Sequence, residues 1–199
     1  MLADIDQIPD IDEHIIITNH KFAHFFSDWT LQTNLRRKIT IVDDGTETNE
    51  TRLGAVRDLI YAINGGIIPG DKELSTVRSS SAGLQGKNCQ LSTIYDDLLV
   101  VAADNLLFFS FSEFVDFAQA KGTSCIMCHN EPSIEKLQRT GVVELDENNK
   151  VLGMEEKPQV PKSHWAVPPF YIYMKKDLDL IRHAIENGCG KDAPGNLAH

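Results

Sequence analysis

LLVVAAD, at residues 98–104, is the stretch that decides the fold class of this chain. Six apolar residues follow one another without polar alternation, which is typical of a strand buried on both faces of a parallel sheet. The run ends in Asp104, so a carboxylate is predicted at the carboxyl end of a central strand. In open α/β sheets, ligands bind at that end of the strands.

Short apolar runs alternate with helical patterns on both sides of this strand. Further strands are predicted for HIIIT (14–18), KITIVDD (38–44), SCIMC (124–128) and PFYIYM (169–174), and a hairpin for residues 141–158. A helix with an aromatic face directed at the core is predicted from the spacing of Phe22, Phe25, Phe26 and Trp29. The alternation predicts an α/β fold, with a mostly parallel sheet covered by helices on both faces.

A helix is also predicted from Asn49 to about Ile63, with Gly54 inside it. Glycine within a helix costs about 1 kcal/mol relative to alanine. It therefore indicates either the close approach of another group or tight packing of the helix on the sheet. Residues 64–94 are rich in Gly, Ser, Asn and Lys and show little periodicity, which predicts a flexible insert. No second domain is evident, so we expect one domain that spans residues 1–199.

The composition excludes several classes of partner. The chain has 199 residues and a net charge of −10, whereas nucleic acids and anionic membrane surfaces are bound by clustered Lys and Arg. No apolar run reaches membrane-spanning length, and the acidic start MLADIDQIPDIDEH does not resemble a signal peptide. We therefore expect a cytoplasmic protein that binds neither nucleic acid nor membrane.

Two of the four cysteines form a CxxC motif, at Cys125 and Cys128. Taken alone, this motif indicates a redox pair or half of a zinc site. There is no second CxxC, and the flanking residues predict a strand, so we interpret both as buried strand cysteines of a reduced protein. A redox or metal protein is the distant alternative, and thiol titration or zinc analysis would distinguish it.

Polar residues at two strand ends are candidates for chemistry. Asp104 and Asn105 could hold Mg²⁺, which takes one or two carboxylates together with phosphate oxygens and water. The alternative is that Asp104 caps the following turn. Glu156 and Lys157 could bind sugar hydroxyls and a phosphate, or they could form a solvated strand edge.

Five segments in this order resemble the sugar-1-phosphate nucleotidylyltransferases: DDGTETNETRLGAVRD (43–58), DDLLVVAADN (96–105), GVVELD (141–146), EEKP (155–158) and DAPGN (192–196). The resemblance implies a three-layer Rossmann-like fold. It also implies transfer of a nucleoside monophosphate from a nucleoside triphosphate to a sugar 1-phosphate, with Mg²⁺ as cofactor and pyrophosphate as second product. A homo-oligomer is compatible with it.

The resemblance also implies roles for individual residues. Asp104 and Lys157 would be catalytic, with Asp104 as a metal ligand and Asn196 as a second one. The substrate-binding residues would be Asn49, Gly54 and Ala55 near the nucleobase, together with Asn105, Gly141, Glu156 and Lys157. Gly141 would contact the sugar through its backbone, Glu156 would bind sugar hydroxyls, and Lys157 would bind the sugar phosphate. Pro168-Pro169-Phe170 stands where relatives usually carry a small residue followed by Gly.

The opening strand of the family and its Gly-rich loop, which carries an essential Arg or Lys, are not found in this sequence. We therefore expect a domain that is incomplete at both ends and an isolated chain that is inactive. The alternative function is a non-catalytic subunit that binds a sugar nucleotide and regulates a partner. Such a subunit would bind nucleotide without turnover.

Overall fold

The computed structural model describes residues 1–64, 97–186, 188–189 and 197. The chain divides into two compact units, residues 1–95 and 96–199, and each is described by itself. The expectation of one domain over residues 1–199 stays a prediction. Apart from Asn64, the predicted insert at 64–94 lies outside the described residues.

The first unit contains two parallel strands joined by a helix. Its elements are α1 (Leu2–Ile5), β1 (Glu13–Thr18), α2 (His20–Thr30), β2 (Lys38–Asp43) and α3 (Ala55–Ile63). β1 and β2 are in register from Glu13 opposite Lys38 to Thr18 opposite Asp43. Because the strands are parallel, the carboxyl ends of both lie at the same edge of the sheet.

A small apolar core and a polar cluster hold this unit together. Val42, Leu53 and Tyr61 form an apolar cluster. The carboxylate of Asp6, which is 1% exposed, is bonded to Nε2 of His14 at 2.9 Å and to the backbone N–H groups of Arg36 at 2.7 Å and Arg37 at 3.0 Å. Asp6 thereby ties the α1–β1 segment to the start of β2.

The aromatic face of α2 is not part of the core, contrary to the prediction. Phe22, Phe25 and Trp29 are 44%, 60% and 39% exposed, and α2 buries none of its residues. The spacing correctly predicts an amphipathic helix. However, the described part of this unit provides only a two-stranded sheet, which offers little apolar surface to cover the helix.

The second unit contains two antiparallel sheets. Its elements are β3 (Leu98–Val101), α4 (Ser112–Lys121), β4 (Cys125–Ile126), β5 (His129–Asn130), α5 (Ile134–Leu137), β6 (Gly141–Leu145), β7 (Val151–Glu156), β8 (Trp165–Val167), β9 (Phe170–Tyr173), a 3-10 turn (Lys175–Asp177) and α6 (Leu178–Arg182). The sheets have the strand orders β3-β9-β4 and β5-β8-β6-β7.

The α/β class is correct, but the expectation of a mostly parallel sheet is not confirmed. Within the described ranges, β1 and β2 are the only parallel pair. β3 and β4 run in the same direction, as the β–α–β pattern predicts, but β9 lies between them and is antiparallel to both. Local sequence does not specify the direction of an inserted strand, so the apolar run of β9 was compatible with either orientation.

Two prolines join the two sheets of the second unit. β8 ends at Val167 in one sheet and β9 begins at Phe170 in the other, with Pro168 and Pro169 between them. The ring of Phe170 packs edge-on against that of Phe111, which is 2% exposed. Aromatic packing thus begins immediately after the connector. No described helix is long and apolar enough to span a membrane.

Candidate functional site

Asp104 lies in an exposed turn three residues beyond β3. Its Oδ1 accepts a hydrogen bond from Asn105 Nδ2 at 2.9 Å, and the same amide donates to the Ala102 carbonyl at 3.2 Å. Asn105 thereby fixes the turn and engages one carboxylate oxygen. Asp104 Oδ2 makes no hydrogen bond to the described residues, and the residue is exposed.

The turn and Gly141 border the same short segment of chain. The N–H of Ala102 donates to the Pro169 carbonyl at 3.2 Å. One strand away, Gly141 at the start of β6 pairs with Val167, which immediately precedes the two prolines. The predicted metal ligand and the predicted sugar contact are therefore anchored to opposite ends of the Val167–Phe170 segment.

Gly141 is confined by its neighbours. A Cβ atom there would lie 2.5 Å from Met154 Cε and 3.2 Å from Glu156 Oε2. Glu156 is its partner across the β6–β7 pair. A side chain at position 141 would therefore displace both the Met154 methyl group and the Glu156 carboxylate. The glycine keeps this carboxylate close to the backbone of β6.

Lys157 follows Glu156 in a left-handed conformation, with φ of 48°. This conformation is uncommon outside glycine and costs of order 1 kcal/mol or more. The N–H of Lys157 donates to the Thr140 carbonyl at 3.0 Å, which holds the backbone in place. Its Nζ lies 3.9 Å from Glu156 Oε1, and the side chain is 65% exposed. The ammonium group is therefore only loosely paired and remains accessible to an anion.

The negative charge of Glu156 acts electrostatically on Tyr171 of β9. Burial, together with the negative charge of Glu156, raises the pKa of the Tyr171 phenol to about 12. Tyr171 is 3% exposed. The carboxylate of Glu156 and the buried, neutral hydroxyl of Tyr171 therefore influence each other electrostatically.

The segment that is predicted to contact the nucleobase has a helix start that differs from the prediction. α3 begins at Ala55 rather than Asn49, and Gly54 is its N-cap, with φ of 88° and ψ of 151°. Only glycine adopts this region readily, so Gly54 makes a sharp entry into the helix and is not a packing residue within it. Asn49 is exposed, in a turn closed by the hydrogen bond from Thr51 N–H to the Thr48 carbonyl.

Asn49, Gly54 and Ala55 therefore share one loop and helix start in the first unit. Asp104, Asn105, Gly141, Glu156 and Lys157 belong to the second unit. Asn196 lies outside the described residues. The structure groups the predicted residues in these two sets, and the role of each residue stays a prediction.

A metal would have to bind without a complete protein cage. No three His, Cys, Asp or Glu side chains of the described ranges converge closely enough to hold an ion. Mg²⁺ commonly binds through one or two carboxylates, with phosphates and water supplying the remaining oxygens. Asp104, on an exposed turn and with one carboxylate oxygen that makes no hydrogen bond within the described part of the chain, fits that mode of binding.

Asp58 on α3 was not predicted from the sequence as a candidate, whereas Asp44 belongs to a strand-end pair that the rule for ligand binding in parallel sheets indicates. The backbone N–H and hydroxyl of Thr46 both donate to Oδ1 of Asp44. Burial raises the pKa of Asp58 to about 7, and the charge of Asp44 and a hydrogen bond to it act in the same direction. The signal was the Asp43-Asp44 pair at the carboxyl end of a strand, a position at which ligands and their supporting groups collect.

The cysteines have the environment of structural residues. Cys125, Cys128 and Cys189 are half-buried free thiols lining an open groove of about 1530 Å³ in the second unit. Burial raises the pKa of all three thiols, whereas reactive cysteines have a lowered pKa. Cys125 and Cys128 are half-buried rather than buried as predicted, and of these two only Cys125 lies within a strand.

Known proteins resemble this chain in both sequence and fold. The nucleotidyl transferase family profile matches residues 75–193, more than half of the chain. A glucose-1-phosphate thymidylyltransferase of Neisseria meningitidis is 32% identical over 88 residues, covering 44% of this chain and 30% of that protein. A glucose-1-phosphate adenylyltransferase of Fervidobacterium nodosum is 30% identical over 102 residues, covering 50% and 25%.

A solved structure supports the same fold. It is assigned to a glucose-1-phosphate thymidylyltransferase of Bacillus anthracis in complex with sucrose, and it superposes with a TM-score of 0.60 at 17% identity. The match covers 99% of this chain and 63% of that one. In the sequence comparisons, the chain spans less than a third of the length of each of the two curated relatives. Together, the family profile, the relatives and the fold confirm the resemblance, and the chain belongs to the nucleotidyl transferase family, among relatives that act on sugar 1-phosphates.

Proposed function

We propose that this chain contributes to the transfer of a nucleoside monophosphate from a nucleoside triphosphate to a sugar 1-phosphate, with release of pyrophosphate. The observation that carries the proposal is the arrangement at the end of β7. There, Gly141 leaves room for the Glu156 carboxylate, and the exposed ammonium of Lys157 is held beside it by a strained backbone. A carboxylate and an ammonium group side by side suit a ligand that carries both hydroxyls and a phosphate.

In this proposal, the residues of the second unit bind and orient the sugar phosphate. Glu156 accepts hydrogen bonds from sugar hydroxyls, and the backbone of Gly141 contacts the sugar ring. Lys157 neutralises the phosphate whose oxygen attacks the α-phosphorus of the nucleotide. Phosphoryl transfer depends mainly on positioning and on stabilising charge, so these contacts raise the rate by fixing the direction of attack.

Asp104, and Asn196 if it is a second ligand, would hold Mg²⁺. Bound there, the ion would neutralise the charge that develops on the phosphates. Asn105 holds the Asp104 turn in place. Asn49, Gly54 and Ala55 are proposed to contact the nucleobase, as the family resemblance implies. The names of the relatives suggest glucose 1-phosphate with dTTP or ATP as the first substrates to test.

The sugar-phosphate site is tested by adding one methyl group. We expect Gly141→Ala to weaken binding of glucose 1-phosphate about tenfold or more, because the new Cβ displaces Glu156. Gly153→Ala on β7 is the matched control, since its Cβ would lie 3.8 Å from Glu144 Oε1, which is ordinary van der Waals contact. Isothermal titration gives both affinities. Equal affinity in the two variants would rule out this site.

The metal role is tested separately. Mg²⁺ should strengthen nucleoside triphosphate binding by the wild-type chain, and we expect Asp104→Asn to abolish that enhancement. Asp116→Asn, which changes an exposed carboxylate on α4, should preserve it. A normal response to Mg²⁺ in Asp104→Asn would refute the assignment. Pyrophosphate release in a longer protein that includes this chain tests the complete reaction.

A further inference from the structure

His20 makes a side-chain contact that the proposed function has not used. It is the first residue of α2, directly after β1, and its Nδ1 donates a hydrogen bond to Asp43 Oδ2 at 2.6 Å. Asp43 is the last residue of the neighbouring strand β2. The pair therefore lies at the carboxyl edge of the two parallel strands, where ligands of such sheets bind.

The same two residues also hold the loop that follows β2. The other oxygen of Asp43, Oδ1, accepts the N–H of Gly45 at 2.8 Å. The N–H of His20 donates to the Thr46 carbonyl at 2.9 Å, and the N–H of Asp44 donates to the Thr18 carbonyl at 3.0 Å. His20 thus contacts the loop twice, once through its ring and once through its backbone.

We propose that His20 is a positioning residue whose imidazole, by holding Asp43, fixes the 43–55 loop in the conformation that receives the nucleobase. The inference rests on the proposed function, because Asn49, Gly54 and Ala55 are the nucleobase contacts of that proposal. His20 does not touch the nucleotide. It acts through Asp43, whose carboxylate links the ring to the backbone of Gly45.

The interaction depends on pH. The hydrogen bond to Asp43 raises the pKa of His20, as do the charges of Asp43 and Glu47, against a smaller opposing effect of burial. Among the described residues, the charges that act on the ring are these two carboxylates. Lys21, the next residue of α2, has its Nζ over the Phe22 ring. Since the pKa of His20 is raised in the folded state, the stabilisation by its bond to Asp43 is complete below the ordinary histidine pKa of about 6.5. It is lost as the pH rises through the raised value.

The first experiment needs no nucleotide. We expect His20→Ala to speed amide hydrogen exchange in residues 44–54 about two- to fivefold, the range for an exposed charged pair. His20→Asn should restore most of the protection, because its side-chain amide can donate from the position of Nδ1. His24→Ala is the matched control, one turn along the same helix and exposed. Unchanged exchange in His20→Ala, or an equal increase throughout the unit, would overturn the inference.

The second experiment connects the loop to recognition of the base. We expect His20→Ala to weaken binding of dTTP or ATP about two- to fivefold without weakening binding of inorganic tripolyphosphate, which has no base. Raising the pH through the raised pKa of His20 should weaken nucleoside triphosphate binding in the wild type and have less effect in His20→Asn. Equal losses for both ligands would overturn the inference. If no variant binds nucleotide while the exchange results hold, the loop is fixed by His20 and the proposed function is wrong.

Discussion

The two units of this chain are stabilised in different ways. All five buried polar or charged residues in the described ranges lie in the first unit: Asp6, His14, Thr40, Asp44 and Thr46. The described buried side chains of the second unit are apolar or aromatic. Among them, Leu137 and Val143 are fully buried and Phe111 is nearly so. The comparison indicates that the unit with the predicted nucleobase loop responds to pH, whereas the unit with the predicted sugar-phosphate site depends on close packing.

The chain provides one fluorescent reporter for each unit. Trp29 lies in the first unit and Trp165 in the second, and they are 39% and 37% exposed. These are the two tryptophans of the sequence. Replacing either one by Phe leaves the other as the sole reporter of its own unit. Urea titrations of these two backgrounds can therefore test the comparison one unit at a time.

The largest effect is expected from Leu137→Ala. This side chain is fully buried against Val142 and Ala166, and removing it should lower the free energy of unfolding by about 2–5 kcal/mol. The loss should be the same at pH 5 and pH 8, because no titratable group is involved. Trp165 fluorescence in urea measures it. Leu152→Ala, at a position 66% exposed, should change stability by less than about 0.5 kcal/mol.

The next largest effect is expected from Asp6→Asn, which should destabilise the first unit at neutral pH. Burial alone would raise the pKa of Asp6, but hydrogen bonds from Arg36, His14 and Arg37 lower it to about 2. A lowered pKa contributes stability above the unfolded value of about 3.9 and loses it as the pH falls toward 2. The difference between wild type and variant should therefore shrink in acid. A pH-independent difference in the Trp29 signal, or a similar loss in the exposed Asp28→Asn, would contradict the comparison.

A smaller effect of the opposite sign is expected from Asp58→Asn. Burial, the charge of Asp44 and a hydrogen bond to it raise the pKa of Asp58 to about 7, and its Oδ1 is buried without a hydrogen-bond partner among the residues that the structure describes. A raised pKa gives stability below the unfolded value that is lost as the pH rises through about 7. The amide should therefore stabilise the unit at pH 8 by about 1–2 kcal/mol. If the urea titration followed by Trp29 shows no gain in stability for Asp58→Asn at pH 8, the Asp58 carboxyl group is solvated.

The smallest effect is expected from Lys162→Ala in the second unit. Its Nζ lies 3.8 Å from Glu144 Oε1 and 3.9 Å from Glu155 Oε2, and its side chain is 65% exposed. Such exposed ion pairs contribute at most about 0.5–1 kcal/mol. The change in the Trp165 midpoint should therefore be small and should vanish in 1 M NaCl. A larger, salt-sensitive loss would mean that charge also stabilises this unit.

The sequence predicts the parts of the fold that depend on local pattern. Apolar runs predict β1 and β3, and the turn residues around Asn149, which has φ of 62°, predict the β6–β7 hairpin. The start of α3 was predicted wrongly, because the apolar periodicity extends past Gly54, whose backbone conformation is set by the tertiary structure. Strand order and the direction of β9 depend on long-range pairing, which no local pattern encodes.

The residues of the candidate site also differ in whether the sequence alone can predict them. Asp104, Glu156 and Lys157 could be singled out because each charged residue follows or ends an apolar strand. The contact between His20 and Asp43 could not, because it requires knowing that β1 and β2 are adjacent and in register. The limited space at Gly141 depends likewise on where Met154 and Glu156 lie across the hairpin. Charged residues at strand ends can therefore be identified from the sequence, whereas contacts between strands cannot.

The proline connector limits how the second unit can move. Pro168 and Pro169 each fix one backbone dihedral, and the carbonyl of Pro169 is held by the N–H of Ala102. The connector therefore has less backbone rotational freedom than an ordinary two-residue linker. The Asp104 turn and the strand that carries Gly141 should shift together as one rigid frame, so any closure around a substrate has to come from hinges located elsewhere in the protein.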